Sequence, residues 1–187
     1  MDFVSIDFET AQYARESACS IGLVKFSGGK IADTFYSLVR PPNLYIRPDF
    51  TAIHGLTVDD VKDASPFDQI WDSGIKPFIG GLPLAAHNAS FDMGVLQAVL
   101  EWYGADVPQL SYFCTCTLAR RTWKGLKSYA LTALAHKFGI VYNAHNALDD
   151  ALTCGKLALL SAEKFNLTNL DGLLTAAQIQ MGTLTNS

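Results

Sequence analysis

The sequence predicts an α/β protein in which one mixed sheet is flanked by α-helices. Three apolar segments with strand character come first in the chain, between Asp2 and Val39. Segments with helical periodicity follow, and two further short apolar strands are interleaved with them. Strands followed by helices that alternate with strands are typical of a sheet with helices packed against it.

Length and composition indicate one globular domain. The chain has 187 residues, of which 49% are apolar and 17% are charged, and this composition argues against disorder. No apolar run reaches the length of a membrane span, and Met1 leads into the first predicted strand without a basic region or a cleavage site. We therefore expect a soluble, cytoplasmic protein with no membrane partner.

Charge and cysteine usage exclude two further classes. A net charge of −4 excludes a protein that binds nucleic acid chiefly through an overall basic surface, although bound cations could still offset carboxylates around a site. The four cysteines lack the paired spacing of zinc sites, because Cys114 and Cys116 form a single pair without a second pair or histidines nearby. Reduced thiols are the expected state.

The first three predicted strands form an antiparallel meander. They cover Asp2 to Glu9, Ala18 to Phe26 and Ile31 to Val39. Ser27-Gly28-Gly29-Lys30 makes the tight hairpin between the second and third strands, because Gly supplies the positive φ that such turns need. Pro41-Pro42 ends the third strand.

Helical patterns follow the meander. Thr57 is predicted to cap one helix, and Pro66 opens another whose apolar stripe is typical of core packing. Leu82 to Ala86 predicts a short fourth strand. Ser90 is predicted to cap the next helix, which places Asp92 in its first turn.

The last third of the chain adds one strand and several helices. Tyr112 to Thr115 predicts the fifth strand. A helix ended by Gly139 follows, and His145 to Asp150 then leads a long helix of apolar character. From Asn166 the tail contains one more predicted helix, about Leu170 to Gln180, and is then expected to fray.

Two carboxylates at the end of the first strand are the most informative feature. Asp7 and Glu9 stand at positions i and i+2, which face the same side of a strand. Two such carboxylates on an apolar strand repel each other and are costly to desolvate, and a divalent cation with hard oxygen ligands would compensate. The alternative is a strand that ends in water, where the pair needs no partner.

Three other polar features have simple explanations when taken singly. Asp92 fits a partner of a helix dipole, and Asp149 and Asp150 fit acids in a first helical turn. His145 alone fits a surface or capping residue. Their combination with the first carboxylate pair is what points to a site.

Together, three motifs resemble the DEDD superfamily of 3′–5′ exonucleases, in its DEDDh or DnaQ-like branch. The first motif, D-x-E-T after an apolar strand, is Asp7-Phe8-Glu9-Thr10. The second is His87-Asn88-Ala89-Ser90-Phe91-Asp92, an Asp after a strand and a polar His/Asn turn. The third, H-x(4)-D, is His145 through Asp150, and it distinguishes the histidine branch from the tyrosine branch. The resemblance spans about residues 2 to 162 and includes Ile53-His54-Gly55-Leu56.

The sequence departs from the family pattern at one position. Many members continue the first motif with Thr-Gly, whereas this chain has Thr10-Ala11. Some stand-alone members similar to the polymerase epsilon subunit also have Ala there, so we interpret the departure as the mark of a subgroup. It concerns the turn behind Thr10 and leaves the acidic residues in place.

The resemblance implies an RNase H-like fold with a central five-stranded mixed sheet. It implies a DEDDh exonuclease domain over residues 1–165 and a C-terminal helical extension of the same domain over residues 166–187. It also implies two divalent cofactor ions, Mg²⁺ or Mn²⁺, about 4 Å apart.

By family analogy, five residues would be catalytic. Asp7 would bridge both ions, Glu9 and Asp150 would hold the ion on the nucleophile side, and Asp92 would act directly or through water. His145 would accept a proton from the attacking water, a task that suits histidine because its reference pKa lies near 6.5.

Substrate contacts are expected around these residues. The backbone at Glu9 and Thr10 would meet the terminal nucleotide, and Phe8, His54 and Phe91 are candidates to touch a base or sugar. Core packing is the alternative for the aromatic residues. Asn88 is a candidate near a phosphate, with capping of its own turn as the alternative. The best basic cluster for the nucleic-acid backbone, against the alternative of a solvated face, is Arg120, Arg121, Lys124 and Lys127.

The expected function is a metal-dependent 3′–5′ exonuclease that acts on the 3′ end of single-stranded DNA and releases nucleoside 5′-monophosphates. Two alternatives stay open. One is an enzyme that trims RNA or degrades oligoribonucleotides, because the motifs specify the chemistry and not the sugar. The other is a proofreading subunit that acts mainly when docked on a DNA polymerase, with the residues after Asn166 as the docking segment.

Overall fold

The computed structural model describes residues 1–185 and shows a mixed sheet between two layers of helices. The strands are β1 (Phe3–Thr10), β2 (Ala18–Ser27), β3 (Lys30–Leu38), β4 (Leu84–Ala86), β5 (Leu110–Cys114) and β6 (Gly182–Leu184). The α-helices are α1 (Pro48–His54), α2 (Val58–Val61), α3 (Phe67–Ile70), α4 (Lys76–Ile79), α5 (Ser90–Trp102), α6 (Thr115–Thr122), α7 (Leu131–Lys137), α8 (Ala147–Phe165) and α9 (Leu170–Ala176).

The sheet has the strand order β3-β2-β1-β4-β5-β6. The pairs β1–β2, β2–β3 and β5–β6 are antiparallel, whereas β1–β4 and β4–β5 are parallel. The predicted α/β class and the meander of the first three strands are therefore confirmed. The central position of β1 places the end of this strand in the middle of the sheet.

The sheet has six strands rather than the predicted five. Gly182–Leu184 forms β6 and pairs with β5, with Leu184 opposite Leu110. The sequence pattern predicts fraying there, because a three-residue strand is too short to show alternation. Leu184 is 5% exposed, so burial against the sheet edge holds it in place. Residues 186–187, the end of the predicted helical extension, lie outside the described part.

The start of α5 differs from its prediction by one residue. The helix begins at Ser90, and Ala89 is the N-cap without a side-chain cap. Ala89 already has helical dihedral angles, φ −50° and ψ −23°, so the turn before the helix runs into it without a capping side chain. Asp92 nevertheless lies in the first turn, as predicted.

The two faces of β1 contact different helices. Val4, Ile6 and Phe8 pack in the core on the side of α3 and α5. Phe3 packs on the other side with residues of α8 and α9. Because side chains alternate along a strand, Asp7 and Glu9 share the face of Phe3 and point toward α8.

Two glycines let α8 lie close to the sheet. A Cβ on Gly22, the partner of Asp7 in β2, would overlap the carbonyl carbon and oxygen of Ala147 at the start of α8. A Cβ on Gly155 would overlap the ring of Phe26. The close approach brings the N-terminal end of α8 against the strand pair that carries Asp7.

Residues after Asn166 pack against the rest of the molecule. Leu170, Leu173 and Leu174 of α9 are buried in the same cluster as Phe3. The division into residues 1–165 and an extension over 166–187 stays a prediction. Among the helices of residues 1–185, none combines the length and the apolar character needed to cross a bilayer.

Candidate active site

Strand β1 brings two of the predicted acids to the surface of a cleft. Asp7 and Glu9 are both partly buried, and both line this cleft of about 300 Å³. The cleft is lined by Asp7, Phe8, Glu9, His87, Phe91, Ala130, Leu131, Thr132, Tyr142, His145 and Asp150. Four of the five predicted catalytic residues are in this set.

The fifth predicted catalytic residue, Asp92, lies behind the cleft surface. It is 1% exposed, and its Oδ1 accepts a hydrogen bond of 3.3 Å from the backbone N–H of Phe8. Phe8 stands between Asp7 and Glu9, so this bond ties the first turn of α5 to the part of β1 that carries the carboxylate pair. A left-handed turn at Asn88, φ 72°, leads the chain from β4 into α5.

The start of α8 supplies His145 and Asp150. The side chain of Asn146 caps the helix and accepts hydrogen bonds of 3.2 Å from the N–H groups of Leu148 and Asp149. His145, just before the cap, is left-handed with φ 63°, and its N–H donates to Asp150 Oδ2 at 2.8 Å. This tight turn leaves the His145 side chain exposed and Asp150 7% exposed.

Three of these side chains have the geometry of a metal-binding group. One ligand atom each from Glu9, His145 and Asp150 lie within 4.8 Å of one another. The ion pairs of Arg47 with Asp49 and of Lys62 with Asp59 do not involve these acids, and no lysine or arginine is among the causes that shift their pKa values. The acids are therefore not neutralised by a lysine or arginine in the described chain.

The carboxylates of the site resist ionisation. Burial raises the pKa of Asp7 well above its ordinary value, and the negative charges of Asp92, Asp150 and Glu9 add to this effect. Burial likewise raises the pKa of Asp92. It raises the pKa of Glu9 to about 7 and that of Asp150 to about 6.

The raised pKa values of these four carboxyl groups indicate that the site needs a compensating positive charge, which a metal ion could supply. Four acids that cannot ionise together without compensation form a hard oxygen donor set, which is the kind that Mg²⁺ and Mn²⁺ prefer. The site therefore fits divalent cations. His145 adds a nitrogen donor at its exposed side.

Of the five predicted substrate residues, two line the cleft and three do not. Phe91 is 40% exposed and lines the cleft, so it is placed to touch a ligand. Phe8 also borders the cleft, but it is 3% exposed and its ring lies 6.1 Å from that of Phe67, as in core packing. Thr10 is 5% exposed. Asn88 is exposed in the turn before α5 and does not line the cleft.

His54 is held by its own surroundings. Its Nδ1 accepts a hydrogen bond of 3.0 Å from the N–H of Leu56, so Nε2 carries the proton and donates to the Thr10 carbonyl at 3.2 Å. Burial lowers the pKa of His54, which favours this neutral form. His54 therefore supports the backbone at Thr10 and does not line the cleft.

Two polar residues that line the cleft, His87 and Tyr142, have no role predicted from the sequence. The ring nitrogens of His87 lie 3.0 Å from Thr115 Oγ1 and 2.8 Å from the Tyr129 carbonyl, which joins β4 to the segment before α7. His87 is visible as the first residue of the second motif, but its two partners lie 28 and 42 residues away in sequence. Tyr142 lies in the loop between α7 and α8, where no periodic pattern marks it.

The predicted basic cluster adjoins the cleft wall. Arg120 and Arg121 lie in the last turn of α6, and the guanidinium of Arg120 lies 4.7 Å from the ring centre of Tyr129. Tyr129 directly precedes Ala130, which lines the cleft. Arg120, Arg121, Lys124 and Lys127 are all exposed.

Comparison with known proteins identifies the family. The model of an exonuclease family, RNase_T, matches residues 4–158. The chain belongs to this exonuclease family. The predicted resemblance is thus confirmed, and with it the class of enzyme, a nucleic-acid hydrolase.

Two relatives of this exonuclease are much longer proteins. Over 166 residues it is 30% identical to a PolC-type DNA polymerase III of Caldanaerobacter subterraneus, covering 87% of this chain and 12% of the polymerase. Over 172 residues it is 30% identical to the 3′-5′ exonuclease DinG of Staphylococcus epidermidis, covering 90% of this chain and 19% of DinG. The chain thus spans about a fifth or less of these two relatives.

Solved structures share the fold over nearly the whole chain. Exonuclease X, solved in complex with 5′ overhanging duplex DNA, superposes with a TM-score of 0.72 at 27% identity, covering 94% of this chain and 99% of its own. The nuclease domain of 3′hExo, a DEDDh family member bound to rAMP, has a TM-score of 0.76 at 19% identity, covering 97% and 96%. The predicted RNase H-like fold is confirmed.

Proposed function

We propose that this exonuclease removes nucleotides from the 3′ end of DNA by phosphodiester hydrolysis and releases nucleoside 5′-monophosphates. The observation that carries the proposal is the cleft where Asp7, Glu9 and Asp150 meet His145, in a chain of the exonuclease family. The 3′ direction is supported by the name of the DinG relative, and DNA by the duplex bound to Exonuclease X.

Asp7, Glu9, Asp92 and Asp150 are the residues that would hold two Mg²⁺ or Mn²⁺ ions. When bound, such ions activate water and stabilise the charge that develops on the phosphate and on the leaving oxygen. The carboxylates set where this happens, because three of them border the cleft and Asp92 is fixed behind it by the Phe8 N–H.

His145 is the general base in this proposal. Its exposed side chain stands at the edge of the cleft, while its backbone N–H is used to orient Asp150. The turn at φ 63° therefore couples the position of the base to the position of a metal-binding carboxylate. The imidazole takes a proton from the attacking water during hydrolysis.

The 3′ end of the DNA strand would be held by stacking on an aromatic side chain and by contacts with the protein backbone. Phe91 offers an exposed aromatic face, which stacks on any base and so suits a sequence-tolerant exonuclease. The Thr10 carbonyl is held by His54, which stabilises the backbone next to Glu9 for contact with the terminal nucleotide.

The rest of the DNA strand would follow one wall of the cleft. This wall belongs to residues 107–148, which we call the basic segment. This segment contains no Asp or Glu and carries five of the 14 Lys and Arg residues, Arg120, Arg121, Lys124, Lys127 and Lys137. It also supplies five of the residues that line the cleft, Ala130, Leu131, Thr132, Tyr142 and His145. An acidic protein with one basic wall has a defined track for a phosphate backbone.

Two of the similar proteins support alternatives to this proposal, one in the substrate and one in the assembly in which the enzyme works. The rAMP bound to 3′hExo supports action on RNA. The PolC-type polymerase supports an exonuclease unit that works within or beside a polymerase. Co-purification with a polymerase would separate a docked unit from a free enzyme.

The test is a time course on a 5′-labelled single-stranded DNA oligonucleotide, with Mg²⁺ or Mn²⁺ and with a chelator. We expect a ladder that shortens from the 3′ end, depends on the metal and is lost in Asp7→Asn. Asp106→Asn makes the same change at an exposed site outside the cleft and should keep the activity. The same oligonucleotide as RNA decides the sugar preference, and an intact substrate in every lane would contradict the proposal.

A further inference from the structure

The hydroxyl of Tyr142 is a buried hydrogen-bond donor without a partner within residues 1–185. Most buried polar groups in folded proteins are paired, so each exception calls for an explanation. Two other buried side-chain oxygens in the described chain share this state, Asp68 Oδ1 and Thr153 Oγ1, but neither residue lines the cleft. Tyr142 alone among the three borders the candidate active site.

The position of Tyr142 relates its hydroxyl to the catalytic acids. Tyr142 lines the cleft together with Asp7, Glu9, His145 and Asp150. Burial raises the pKa of Tyr142 to about 12, and the charges of Asp150 and Asp7 contribute. The phenol therefore keeps its proton at neutral pH. Neither carboxylate lies within hydrogen-bonding distance, so the donor is not used to hold these acids.

The cleft needs such a donor for an anionic ligand. Ionised carboxylates and phosphate oxygens both accept hydrogen bonds and donate none, so a phosphate among these acids requires donors from other residues. His87 also lines the cleft, but both of its ring nitrogens are occupied by Thr115 and Tyr129. The Tyr142 hydroxyl is buried and uncommitted.

We propose that Tyr142 is a phosphate-positioning residue whose hydroxyl donates a hydrogen bond to a non-bridging oxygen of the phosphate at the 3′-terminal nucleotide. This inference rests on the proposed function and adds a substrate contact outside the three motifs. A hydrogen bond to a charged oxygen in a buried site is stronger than one to water, so the substrate phosphate satisfies the orphan donor.

The test compares Tyr142→Phe with Tyr103→Phe. The first change removes only the hydroxyl from the cleft. The second removes it from a half-buried tyrosine at the opposite end of α5 from Asp92. The probe is the nucleoside 5′-monophosphate released from the preferred substrate, with the corresponding nucleoside as the phosphate-free control. Calorimetry in Mg²⁺ gives their affinities, and steady-state kinetics gives kcat/KM.

We expect Tyr142→Phe to weaken binding of the monophosphate about tenfold or more, as expected for the removal of a hydrogen bond to a charged group, and to lower kcat/KM by a similar factor. Binding of the nucleoside and of Mn²⁺ should be unchanged, and Tyr103→Phe should behave as the wild type. Wild-type affinity in Tyr142→Phe would overturn the inference, as would an equal loss for nucleoside and monophosphate or a loss of Mn²⁺ affinity. A wild-type protein inactive on both DNA and RNA would instead overturn the proposed function.

Discussion

At the residue scale, the site concentrates negative charge that the fold alone does not neutralise. The folded protein binds protons at Asp7, Glu9 and Asp150 more tightly than the unfolded chain does, because their pKa values are raised. Their protonated forms favour folding, so this stability is complete below about pH 4 and declines as the pH rises through 6 to 7. Divalent ions held by these carboxylates would replace the protons and restore this stability.

Substituting Asp7 with Asn tests this balance. We expect Asp7→Asn to raise the Tm of the metal-free protein at pH 8 by about 2 to 4 °C for each kcal/mol of electrostatic cost that the neutral side chain removes, and by less at pH 5, where the raised pKa of Asp7 keeps it protonated. The lowered pKa values of His54 and His87 make stability rise with pH, whereas the raised pKa values of the carboxyl groups make it fall. The variant is therefore compared with the wild type at the same pH, where the contribution of the histidines cancels. Thermal melts in chelator measure the difference, and a Tm for the variant below the wild type at pH 8 contradicts the prediction.

The role of His145 is separable from metal binding. We expect His145→Ala to lower kcat about 10²- to 10⁴-fold, the usual contribution of a general base, with Mn²⁺ affinity and Tm near wild type because the side chain is exposed. His136→Ala, an exposed histidine on α7, is the matched control. A loss of Mn²⁺ affinity would make His145 a ligand, as its closeness to Glu9 and Asp150 allows. A rate that rises with pH equally steeply in the variant would also count against the base.

The acids of the site could be predicted from the sequence because their spacing depends on local structure. Asp7 and Glu9 follow the period of a strand, and Asp92, His145 and Asp150 mark helix starts, so each could be placed from its neighbours. The structure brings them around one cleft, and their catalytic roles stay predictions. Tyr142 and the partners of His87 depend on contacts distant in sequence, which no local pattern encodes.

At the element scale, the site depends on how closely α8 approaches β1 and β2. Glycine at position 22 resembles an ordinary strand residue in the sequence, yet a side chain there would meet the backbone of Ala147. The sixth strand and the missing cap at Ser90 escape sequence reasoning for a related reason. A short edge strand and a turn that is already helical are stabilised by tertiary packing rather than by propensity.

A methyl group at Gly22 should move α8. We expect Gly22→Ala to cost about 1 to 3 kcal/mol of stability, as overpacking does, and to lower kcat/KM at temperatures where the variant is folded, because His145 and Asp150 shift with the helix. Gly74→Ala is the control, since its Cβ would meet the ring edge of Phe35 rather than backbone. Urea melts and kinetics measure both effects, and full activity in a stable Gly22→Ala would show that α8 tolerates the methyl group.

At the scale of the whole molecule, the uneven distribution of charge decides how a long substrate is held. The basic segment is free of acids, whereas the remainder of the chain contains all 18 Asp and Glu residues. We therefore expect a polynucleotide that enters the cleft to be attracted to this wall and repelled by the acidic remainder of the chain. The net charge of −4 conceals this arrangement, because a sum over the chain does not show that the basic cluster lies beside the cleft.

The salt dependence of KM measures this attraction. We expect a Lys124→Ala/Lys127→Ala double variant to raise KM for long oligonucleotides and to reduce the slope of log KM against log salt by about 0.7 for each phosphate that the variant no longer binds. Hydrolysis of a p-nitrophenyl ester of a nucleoside 5′-monophosphate, which is too short to reach the cluster, should be unaffected. Lys30→Ala/Lys76→Ala removes the same charge from exposed sites outside the basic segment and should leave the slope unchanged. If the slope of log KM against log salt were the same in both double variants, the oligonucleotide would leave the cleft along another wall, because counterions are released only where phosphates contact cations.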